Sequence, residues 1–434
     1  MLLEFSVANF RSFNEKQNLS FIASRDRHNA ENIYGEKPRV LKSIAIFGAN
    51  ASGKSNLVKA VEFMEWMVTN SATKLNLGDP IPGVIPFKLR SDTAHQPSSF
   101  EVVLLLNGIQ YRYGFSATTE RVFDEWLWVK KPHTREVQWL ERKYSAETAT
   151  YSYECHGDLT KHKALLSERT RPNCLALSSG VQQNIEVLLP VYSWFQQEMG
   201  CLDFAISPSD LMLQTAKKCF NAGVKERVAK MLQDIDVQIT EVEIRIQPSP
   251  LPVLSEDTPT MHLMKMIEKL DSGTDLTPLK VQTQHLAVDT NEPVWFDISD
   301  ESNGTQRFFA VAGVLLEALD RGQVVFIDEF ECNMHPRLAQ RLIAWFQHPD
   351  INKTGAQLVV TTHDSTLMHP NLLRRDQIWL AEKDASSATT LYSLNDLDDD
   401  KKGRSTEIFQ RHYLAGEYGG VPLFGRTFEE PRMP

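Results

Sequence analysis

The chain has 434 residues, of which 42% are hydrophobic and 24% are charged, and its formal net charge is −10. This length and hydrophobic content allow a large buried core, divided into about two or three domain-sized units. The acidic balance argues against a protein that coats nucleic acid through bulk charge. The longest apolar runs, such as VVLLL, are too short to span a bilayer, and the opening MLLEFSVANF lacks the positive region of a signal peptide. We therefore expect a cytoplasmic protein with no membrane partner.

The first part of the chain, to about residue 204, is predicted to contain many strands and one strand–loop–helix unit. LLEFSVANFRSF alternates as a half-buried strand does, and NLSFIAS fits its hairpin partner. Ile44 to Phe47 form a short apolar run, which leads through glycines into a helical apolar pattern. FEVVLLL and IQYRYGF flank Asn107 and Gly108, a strong hairpin signal. Further on, LALSS is predicted to be a short strand and VQQNIEVLLPVYSWFQQEM a helix.

Residues 205 to 285 differ in character from both flanks. DLMLQTAKKCF and VKERVAKMLQDI predict two short amphipathic helices and TEVEIRIQ a strand, followed by a proline-rich loop and a third short helix. No heptad pattern is sustained, so a long coiled-coil arm is not expected. We predict a small, mainly helical insertion, acting as a lid or arm. Residues 1–204 and 286–434 would then form one bipartite domain.

The chain from residue 286 onward returns to alternating helices and strands. FFAVAGVLLEAL is predicted to be a buried helix, QVVFIDE a strand, and PRLAQRLIAWF a helix with Pro336 in its first turn. AQLVVTTH and QIWLAE predict two further strands. The pattern indicates an α/β fold with a mixed sheet core and an N-terminal antiparallel β-subdomain. The late stretch YLAGEYGGVP has no evident chemical use.

One glycine-rich stretch carries a phosphate-binding pattern. Residues 48–55, GANASGKS, which we call the P-loop, fit G-x-x-x-x-G-K-[ST] between a predicted strand and a predicted helix. Glycines let consecutive N–H groups face phosphates, Lys54 reaches the β- and γ-phosphates, and the Ser55 hydroxyl ligates Mg²⁺. A structural glycine turn is the alternative, but this placement favours ATP and Mg²⁺ as ligands. The nucleotide-binding residues predicted here are Gly48, Asn50, Gly53, Lys54, Ser55 and Asn56.

Two downstream strand ends carry candidate catalytic groups. VVFIDE places Asp328 and Glu329 at the end of a buried strand, where carboxylates are costly unless a cation or a reacting water needs them. Asp328 is predicted to help hold Mg²⁺, and Glu329 to orient the water that attacks the γ-phosphate; a solvated pair of acids is the alternative. LVVTTHDS ends near His363, a candidate γ-phosphate sensor. A histidine with only local hydrogen bonds and a phosphohydrolase dyad with Asp364 are the alternatives, although no upstream ligands complete that dyad.

The order of the P-loop, ESNGTQRFF, VVFIDE and TTH resembles that of ABC-type ATPases of the RecF and SMC kind. VANFRSF is similar to the N-terminal strand of that group, whose basic residue approaches the nucleotide, and Arg11 is the matching position. GANASGKSN, IDEFECNMHP, TTHDSTLM and YLAGEYGGVP are similar to the RloA-like, overcoming-lysogenisation-like class. Several members of that class belong to bacterial anti-phage modules. The resemblance covers most of the chain outside residues 205–285 and implies an ABC-type P-loop NTPase fold.

The stretch ESNGTQRFF, residues 301–309, acquires a role from this resemblance. Ser302, Gly304 and Gln306 match the signature loop, which in this superfamily caps the γ-phosphate bound to the opposite subunit. A hydroxyl and a glycine N–H at a helix N-terminus form an anion-binding end. The resemblance therefore implies a homodimer, head to tail around two ATP molecules, or a higher assembly. Taken alone, the stretch would indicate only a capped helix start.

Three features depart from the ABC pattern. Ala51 replaces the usual glycine after the P-loop asparagine, which fits the smaller class but not transporters. His335 stands where ABC proteins usually carry the aspartate of the D-loop. No motif marks the Q-loop glutamine, so Gln182 and Gln183, after the predicted strand LALSS, are only positional candidates for contact with the metal.

Together these patterns predict an ATP-hydrolysing ABC/SMC-like switch, and the resemblance implies that it controls a separate effector protein, such as a nuclease, in anti-phage defence. The chain carries neither a Toprim-like acidic cluster nor an HNH pattern, so the effector is expected on another chain. The alternative is a RecF-like DNA-binding ATPase of DNA repair, which leaves nucleic acid open as a partner. The acidic total and the missing arm weigh against it. A transporter subunit is disfavoured by VANFRSF and the altered signature, and a non-hydrolytic ATP sensor by Glu329.

Overall fold

The computed structural model describes residues 1–203, 209–234, 238–246, 279–331, 334–397 and 409–421. The chain divides into two compact units, Met1–Ala205 with Ala318–Pro434, and Ile206–Glu317. The second unit begins beside the predicted insertion but extends past its predicted end at residue 285. The predicted proline-rich loop and the third helix of the insertion, between residues 247 and 278, lie outside the described residues. A functional division into an ATPase domain and a lid stays a prediction.

Strands predominate in the first 155 residues, and helices and strands alternate later in the chain. Among the described residues, no helix is both long and apolar enough to cross a bilayer. The helices are α1 (Lys54–Lys74), α2 (Lys163–Arg169), α3 (Ala176–Gln182), α4 (Leu189–Ser193), α5 (Ser209–Lys218), α6 (Ala222–Gln233), α7 (Asn303–Arg321), α8 (Pro336–Gln347) and α9 (Phe409–Leu414). The strands are β1 (Leu2–Ala8), β2 (Gln17–Ser20), β3 (Ile33–Tyr34), β4 (Val40–Leu41), β5 (Ser43–Phe47), β6 (Ser98–Leu106), β7 (Ile109–Ala117), β8 (Val122–Lys130), β9 (Val137–Ser145), β10 (Thr150–Cys155), β11 (Met199–Asp203), β12 (Glu241–Ile246), β13 (Leu279–Leu286), β14 (Pro293–Asp297), β15 (Val324–Asp328), β16 (Gln357–Thr361), β17 (Ile378–Lys383) and β18 (Thr389–Ser393).

The first unit contains a seven-stranded antiparallel sheet with the order β10-β9-β8-β7-β6-β1-β2. The predicted pairing of β1 with β2 is confirmed. The predicted hairpin of β6 and β7 is also confirmed, and its two turn residues, Asn107 and Gly108, have φ values of 51° and 78°. Positive φ at both central residues is the geometry of the tight hairpin turn that Asn-Gly favours. This sheet is the predicted N-terminal antiparallel subdomain.

The first unit also contains a six-stranded mixed sheet with the order β11-β15-β16-β5-β17-β18. Its strands run parallel except β18, which is antiparallel to β17. β5, β15 and β16 are buried along their whole length, as expected of parallel strands covered on both faces. The predicted α/β fold class with a mixed sheet core is therefore confirmed.

One hydrophobic core joins both sheets to α1. On the antiparallel side, the Phe63 ring of α1 lies 4.9 Å from the Phe100 ring of β6 and 5.8 Å from the Phe10 ring. Phe326 of β15 and Val359 of β16 belong to the same core from the mixed sheet. The helix that begins at the P-loop is therefore held by side chains from both sheets.

The predicted strand at LALSS is wrong, because these residues form α3. The Glu125 carboxylate of β8 accepts hydrogen bonds from the backbone N–H groups of Ala176, at 2.6 Å, and Leu177, at 2.8 Å. An acid that accepts from the first N–H groups of a helix stabilises that helix start. Because this acid lies about fifty residues earlier in the chain, no local pattern indicates the helix.

The segment VQQNIEVLLPVYSWFQQEM, predicted to be one helix, has a more broken structure. A 3₁₀ turn at Glu186–Leu188 precedes α4, and a π turn at Trp194–Glu198 follows it. Met199 then begins the edge strand β11, which pairs with β15.

A buried ion pair within the antiparallel sheet lies beside the start of α3. Glu125 and Arg142 are both fully buried, and their charged groups lie 3.5 Å apart. Arg142 also donates to the carbonyl oxygens of Cys174, at 2.6 Å, and Arg171, at 3.0 Å. Burial raises the pKa of Glu125, and the guanidinium opposes that shift. The carboxylate thus depends on its partners to remain charged.

The second unit combines helices with a three-stranded antiparallel sheet in the order β12-β13-β14. The predicted helices α5 and α6 and the predicted strand β12 are confirmed. The Thr215 hydroxyl of α5 donates to the Ala310 carbonyl at 2.7 Å and accepts from the Gly313 N–H at 3.1 Å, so α5 packs closely on α7. Sequence analysis predicted β12 but not its neighbours β13 and β14.

The buried ion pair gives a test of the fold. Glu125→Gln should lower the free energy of unfolding by about 3 to 5 kcal/mol, because it leaves the Arg142 charge buried without a countercharge. Urea unfolding followed by circular dichroism measures the change. Asp92→Asn removes the acid of an exposed pair with Arg90 and should leave the midpoint unchanged. Equal midpoints for Glu125→Gln and the unaltered protein would contradict a supporting role for the pair.

Candidate functional site

The carboxyl ends of three neighbouring parallel strands meet at one edge of the mixed sheet. β16 lies between β5 and β15, so the P-loop, the Asp328–Glu329 pair and His363 follow adjacent strand ends. A cleft of about 470 Å³ opens there, lined by residues 50–56, Asp328, Glu329, Thr361 and His363. The structure thus brings together most of the predicted P-loop residues and all three predicted strand-end groups. Ligands of open α/β sheets bind at this edge.

The P-loop backbone depends on two glycines. Gly53 has a φ of 108° and immediately precedes α1, and a Cβ atom there would overlap the Thr389 hydroxyl. A Cβ atom on Gly48 would likewise overlap the Ala381 carbonyl oxygen of β17. Both glycines are therefore required by close approach of other chain segments, in addition to any approach of phosphate.

Lys54 lies within the P-loop curve. Its ammonium donates to the carbonyl oxygens of Gly48, at 2.7 Å, and Ala49, at 3.0 Å. Burial lowers the pKa of Lys54 to about 8, against the opposing effects of Glu331, Asp328 and Glu329. A lysine that is partly stripped of water and held by loop carbonyls can exchange these partners for phosphate oxygens.

The two consecutive acids at the end of β15 have different environments. Asp328 is buried, and its carboxylate accepts a hydrogen bond from the Thr361 hydroxyl. That hydroxyl also accepts from the Glu329 N–H at 3.1 Å. Glu329 is exposed and has a φ of 52°, an uncommon conformation for a residue with a side chain. The turn separates a shielded acid from one that faces solvent in the cleft.

A third acid, Glu331, and Lys54 both contact His363. The backbone N–H of His363 donates to Glu331 Oε1 at 2.5 Å, and the ring Nδ1 lies 3.4 Å from the Lys54 ammonium. Desolvation, with the nearby Lys54 charge, lowers the pKa of His363, so the ring is neutral at pH 7. Sequence reasoning missed Glu331, whose only signal is its place two residues after Glu329.

Ser12 and Thr389 brace the P-loop, and sequence reasoning missed both. The Thr389 hydroxyl of β18 donates to the Ser52 carbonyl at 2.7 Å and lies 2.8 Å from Ser12 Oγ. The Asn56 amide donates to the same Ser12 oxygen at 2.8 Å. Asn56 therefore lines the cleft but is also committed to the brace. No local pattern marks Ser12 or Thr389, since each is an ordinary polar residue in its own segment.

Arg11 does not line the cleft. Its N–H donates to the Ile85 carbonyl at 2.7 Å, and its guanidinium carbon lies 5.5 Å from the centre of the Phe10 ring. The next residue, Ser12, makes the contact with the P-loop segment. A role for Arg11 in nucleotide binding stays a prediction.

Gln182 and Gln183 are not among the residues that line the cleft either. Gln182 is the last residue of α3, and the Gln183 amide donates to the backbone carbonyl, at 3.1 Å, and to the hydroxyl, at 2.9 Å, of Ser179. The strand that served to place them does not exist, so the positional argument for these two glutamines as metal contacts is wrong.

The signature loop lies in the second unit and begins α7. The exposed Ser302 hydroxyl accepts from the Thr305 N–H at 3.1 Å, and the Gln306 N–H donates to the Ser302 carbonyl at 3.0 Å. The Gln306 amide donates back to the Glu301 carbonyl at 2.8 Å. Gly304 lies half-buried in the first turn. In its own unit the loop is a capped helix start, and its action on a second subunit stays a prediction.

The residues of the cleft fit a magnesium ion that is shared with bound phosphate better than a metal site built from protein ligands alone. Ser55 and Asp328 both line the cleft and offer the oxygen ligands that Mg²⁺ prefers. In the part of the chain that the structure describes, no group of three or more His, Cys, Asp or Glu residues could hold a metal. Mg²⁺ at phosphate sites needs only one or two protein ligands, because phosphate and water supply the rest.

Three solved structures align with most of the chain at low similarity. The SMC head domain from Thermotoga maritima is 12% identical with a TM-score of 0.39, and the alignment covers 90% of this chain and 98% of that chain. The recombination mediator protein RecF of the RecFOR pathway is 14% identical with a TM-score of 0.29, covering 87% and 97%. CbiO1 from Clostridium perfringens, part of the ABC transporter complex cbiONQ, is 10% identical with a TM-score of 0.27, covering 84% and 80%. No curated protein sequence matches the chain.

A protein family matches residues 43–182 and 257–369, which make up more than half of the chain. The first range contains β5, the P-loop and α1, and the second contains the strand ends with Asp328, Glu329 and His363. The match therefore spans the segments that line the cleft. The chain belongs to this family of P-loop ATPases, described as "AAA domain, putative AbiEii toxin, Type IV TA system".

Proposed function

We propose that the chain binds ATP with Mg²⁺ in the cleft and hydrolyses it, that its ATP-bound form is a head-to-tail dimer, and that this dimer controls a separate effector. One observation carries the proposal. The cleft of about 470 Å³ has the P-loop, Asp328, Glu329 and His363 on its walls, although they come from three separate strand ends. These are the groups that phosphoryl transfer to water requires.

Binding of the triphosphate follows from the P-loop and the start of α1. The N–H groups of the loop and the positive end of this 21-residue helix attract phosphate. Lys54 exchanges its loop carbonyls for phosphate oxygens. Ser55 and Asp328 would hold Mg²⁺, which when bound neutralises charge on the β- and γ-phosphates.

Hydrolysis requires a water molecule aligned with the γ-phosphate. Glu329 is the exposed acid of the cleft, and the hydrogen bond from its N–H to Thr361 fixes its backbone, so its carboxylate can accept a proton from that water. His363, neutral at pH 7 and adjacent to Lys54, can donate a ring N–H to the γ-phosphate. Asp328, shielded and engaged by Thr361, is less suited to act as the base.

The dimer follows from the signature loop. Ser302 and Asn303 are exposed at the start of the 19-residue helix α7, whose positive end would face an anion. In the proposed dimer this end caps the γ-phosphate held by the P-loop of the second copy. Each ATP is then enclosed by two chains, so ATP binding and hydrolysis drive association and release.

The proposed effector role rests on the description of the family. The family is described as a putative toxin of a toxin–antitoxin system, a setting in which a damaging activity must be held in check. We propose that the ATP-dependent dimer controls such an activity on a separate chain, such as a nuclease, in defence against phage. The RecF-like alternative instead predicts that the dimer itself binds duplex DNA, with an affinity that falls steeply as salt rises.

Glu329→Gln tests hydrolysis. The variant should bind ATP as before but release phosphate at least about 100-fold more slowly, because the group that orients and activates the water is lost. Dimers should then accumulate with ATP, as measured by light scattering. Glu147→Gln, at an exposed turn, is the matched control. Hydrolysis by Glu329→Gln at the control rate would refute the assigned role.

Ser302→Arg tests the contribution of a second chain. The introduced side chain should block closure of the one ATP site to which its chain contributes the signature loop, while ATP binding is kept, and Ser152→Arg on the exposed face of β10 is the control. An equimolar mixture of Ser302→Arg with Lys54→Ala should regain hydrolysis, because one composite site then has an intact P-loop and an intact signature loop. A mixture no more active than the two variants apart would contradict action in trans.

The lowered pKa of Lys54 predicts proton uptake. Free Lys54 titrates near pH 8, whereas a bound triphosphate favours the charged form and raises that pKa. ATP binding at pH 8 should therefore take up protons, and ATP affinity should fall as the pH rises above about 8. Calorimetry in two buffers of different ionisation enthalpy measures the uptake. The proton uptake should vanish in Lys54→Met and persist in the exposed control Lys59→Met. Proton uptake that persists in Lys54→Met would show that another group takes up the proton.

A further inference from the structure

The glycine-rich segment, residues 409–421, has no part in the chemistry described so far. It consists of α9 and a chain of turns in which Gly416, Gly419 and Gly420 have φ values of 76°, 82° and 69°. Turns of this kind favour glycine, which explains the spacing of glycines in YLAGEYGGVP.

The turns pack directly on β17 and β18. The Tyr392 hydroxyl of β18 donates to the Tyr418 carbonyl at 2.9 Å and lies 3.0 Å from the Glu382 carboxylate of β17. A Cβ atom on Gly419 would lie 2.5 Å from that hydroxyl and 2.7 Å from that carboxylate. The next residue before Glu382 is Ala381, whose carbonyl abuts Gly48 of the P-loop. The segment thus supports the strand on which the P-loop rests.

A second contact reaches the strand that leads into the P-loop. Tyr413 of α9 is buried, and its ring centre lies 6.3 Å from that of Phe47, the last residue of β5. The Tyr413 hydroxyl donates to the Gly420 carbonyl at 3.1 Å, which closes the segment on itself. The end of β5 is therefore covered by a side chain from this segment.

A third contact reaches the turn that follows His363. The Gln410 amide of α9 donates to the Ser365 hydroxyl at 3.2 Å. Ser365 begins the short 3₁₀ turn Ser365–Leu367, two residues after His363. One short segment therefore touches both the strand that leads into the P-loop and the turn that follows His363.

We propose that the glycine-rich segment is a positioning element of the ATP site, which keeps the P-loop and His363 in register for hydrolysis. None of its residues lines the cleft, so it would act through its contacts with Phe47, β17, β18 and Ser365. The inference rests on the proposed ATPase function. A displacement of reacting groups by about 1 Å is enough to slow a reaction while substrate still binds.

Gln410→Ala tests the contact with the His363 turn. It removes one partly buried hydrogen bond, so the melting temperature should stay within about 2 °C, while kcat should fall at least about fivefold and KM for ATP should change less than twofold. Leu414→Ala changes an exposed side chain of the same helix and should leave both constants unaltered. Wild-type kcat in Gln410→Ala would overturn the role of this contact.

A double-mutant cycle separates positioning from a general loss of stability. Ser365→Ala removes the other partner of the same hydrogen bond, so Gln410→Ala with Ser365→Ala should be no slower than either variant alone. If the two losses multiply instead, the residues act independently and the contact does not carry the effect.

Hydrogen exchange gives a readout that needs no catalysis. In Gln410→Ala, amides of residues 363–368 should exchange several-fold faster, and in Gly419→Ala, which strains a turn at positive φ, exchange should also rise in residues 44–55. Leu414→Ala should change neither. If neither variant changes the exchange rates, the positioning role is overturned, whether or not the wild-type protein hydrolyses ATP. If the exchange rates change as expected but the wild-type protein does not hydrolyse ATP, the proposed function is refuted and the contact of the segment with the cleft segments still holds.

Discussion

The missing side chain at Gly53 is the constraint on which the site depends. Because nothing projects from Gly53, the Thr389 hydroxyl reaches the Ser52 carbonyl and meets Ser12, which in turn accepts from Asn56. The loop after β1, the start of α1 and the edge strand β18 are thereby joined around one bend of the backbone. A phosphate-binding loop must present its N–H groups before the ligand arrives, and this bracing fixes them in advance.

The rest of the first unit supports that bend from behind. α1 packs its Phe63 ring against the antiparallel sheet, and the Ser178 hydroxyl of α3 donates to the Val68 carbonyl of α1 at 2.6 Å. α3 is in turn held at its start by Glu125, whose charge is balanced by Arg142. A buried pair in the antiparallel sheet therefore contributes to the position of the P-loop helix. The Thr361 hydroxyl completes the arrangement, because it donates to the shielded Asp328 carboxylate and accepts from the backbone N–H of the exposed Glu329.

Sequence reasoning succeeded where one segment carries its own signal and failed where the partner is distant. The P-loop, the strand ends at Asp328 and His363 and the Asn107–Gly108 hairpin were predictable from glycines and periodicity. LALSS was wrongly assigned to a strand because the acid that caps its helix start, Glu125, lies on β8 and leaves no signal in the neighbouring sequence. The positional argument for Gln182 and Gln183 failed with that strand. Ser12, Thr389 and Glu331 were missed, since their roles exist only when separate segments meet.

The sequence by itself determined the class of site, because a glycine-rich loop before a lysine and a helix can be recognised from adjacent residues. It also determined most strands and helices, whose burial imposes periods of two and 3.6 residues. Only the tertiary structure decided which polar residues brace the loop, which glutamines do not line the cleft, and that residues 409–421 contact both the strand before the P-loop and the turn after His363. These contacts join residues far apart in the chain, and pairwise proximity leaves no periodic trace in the sequence.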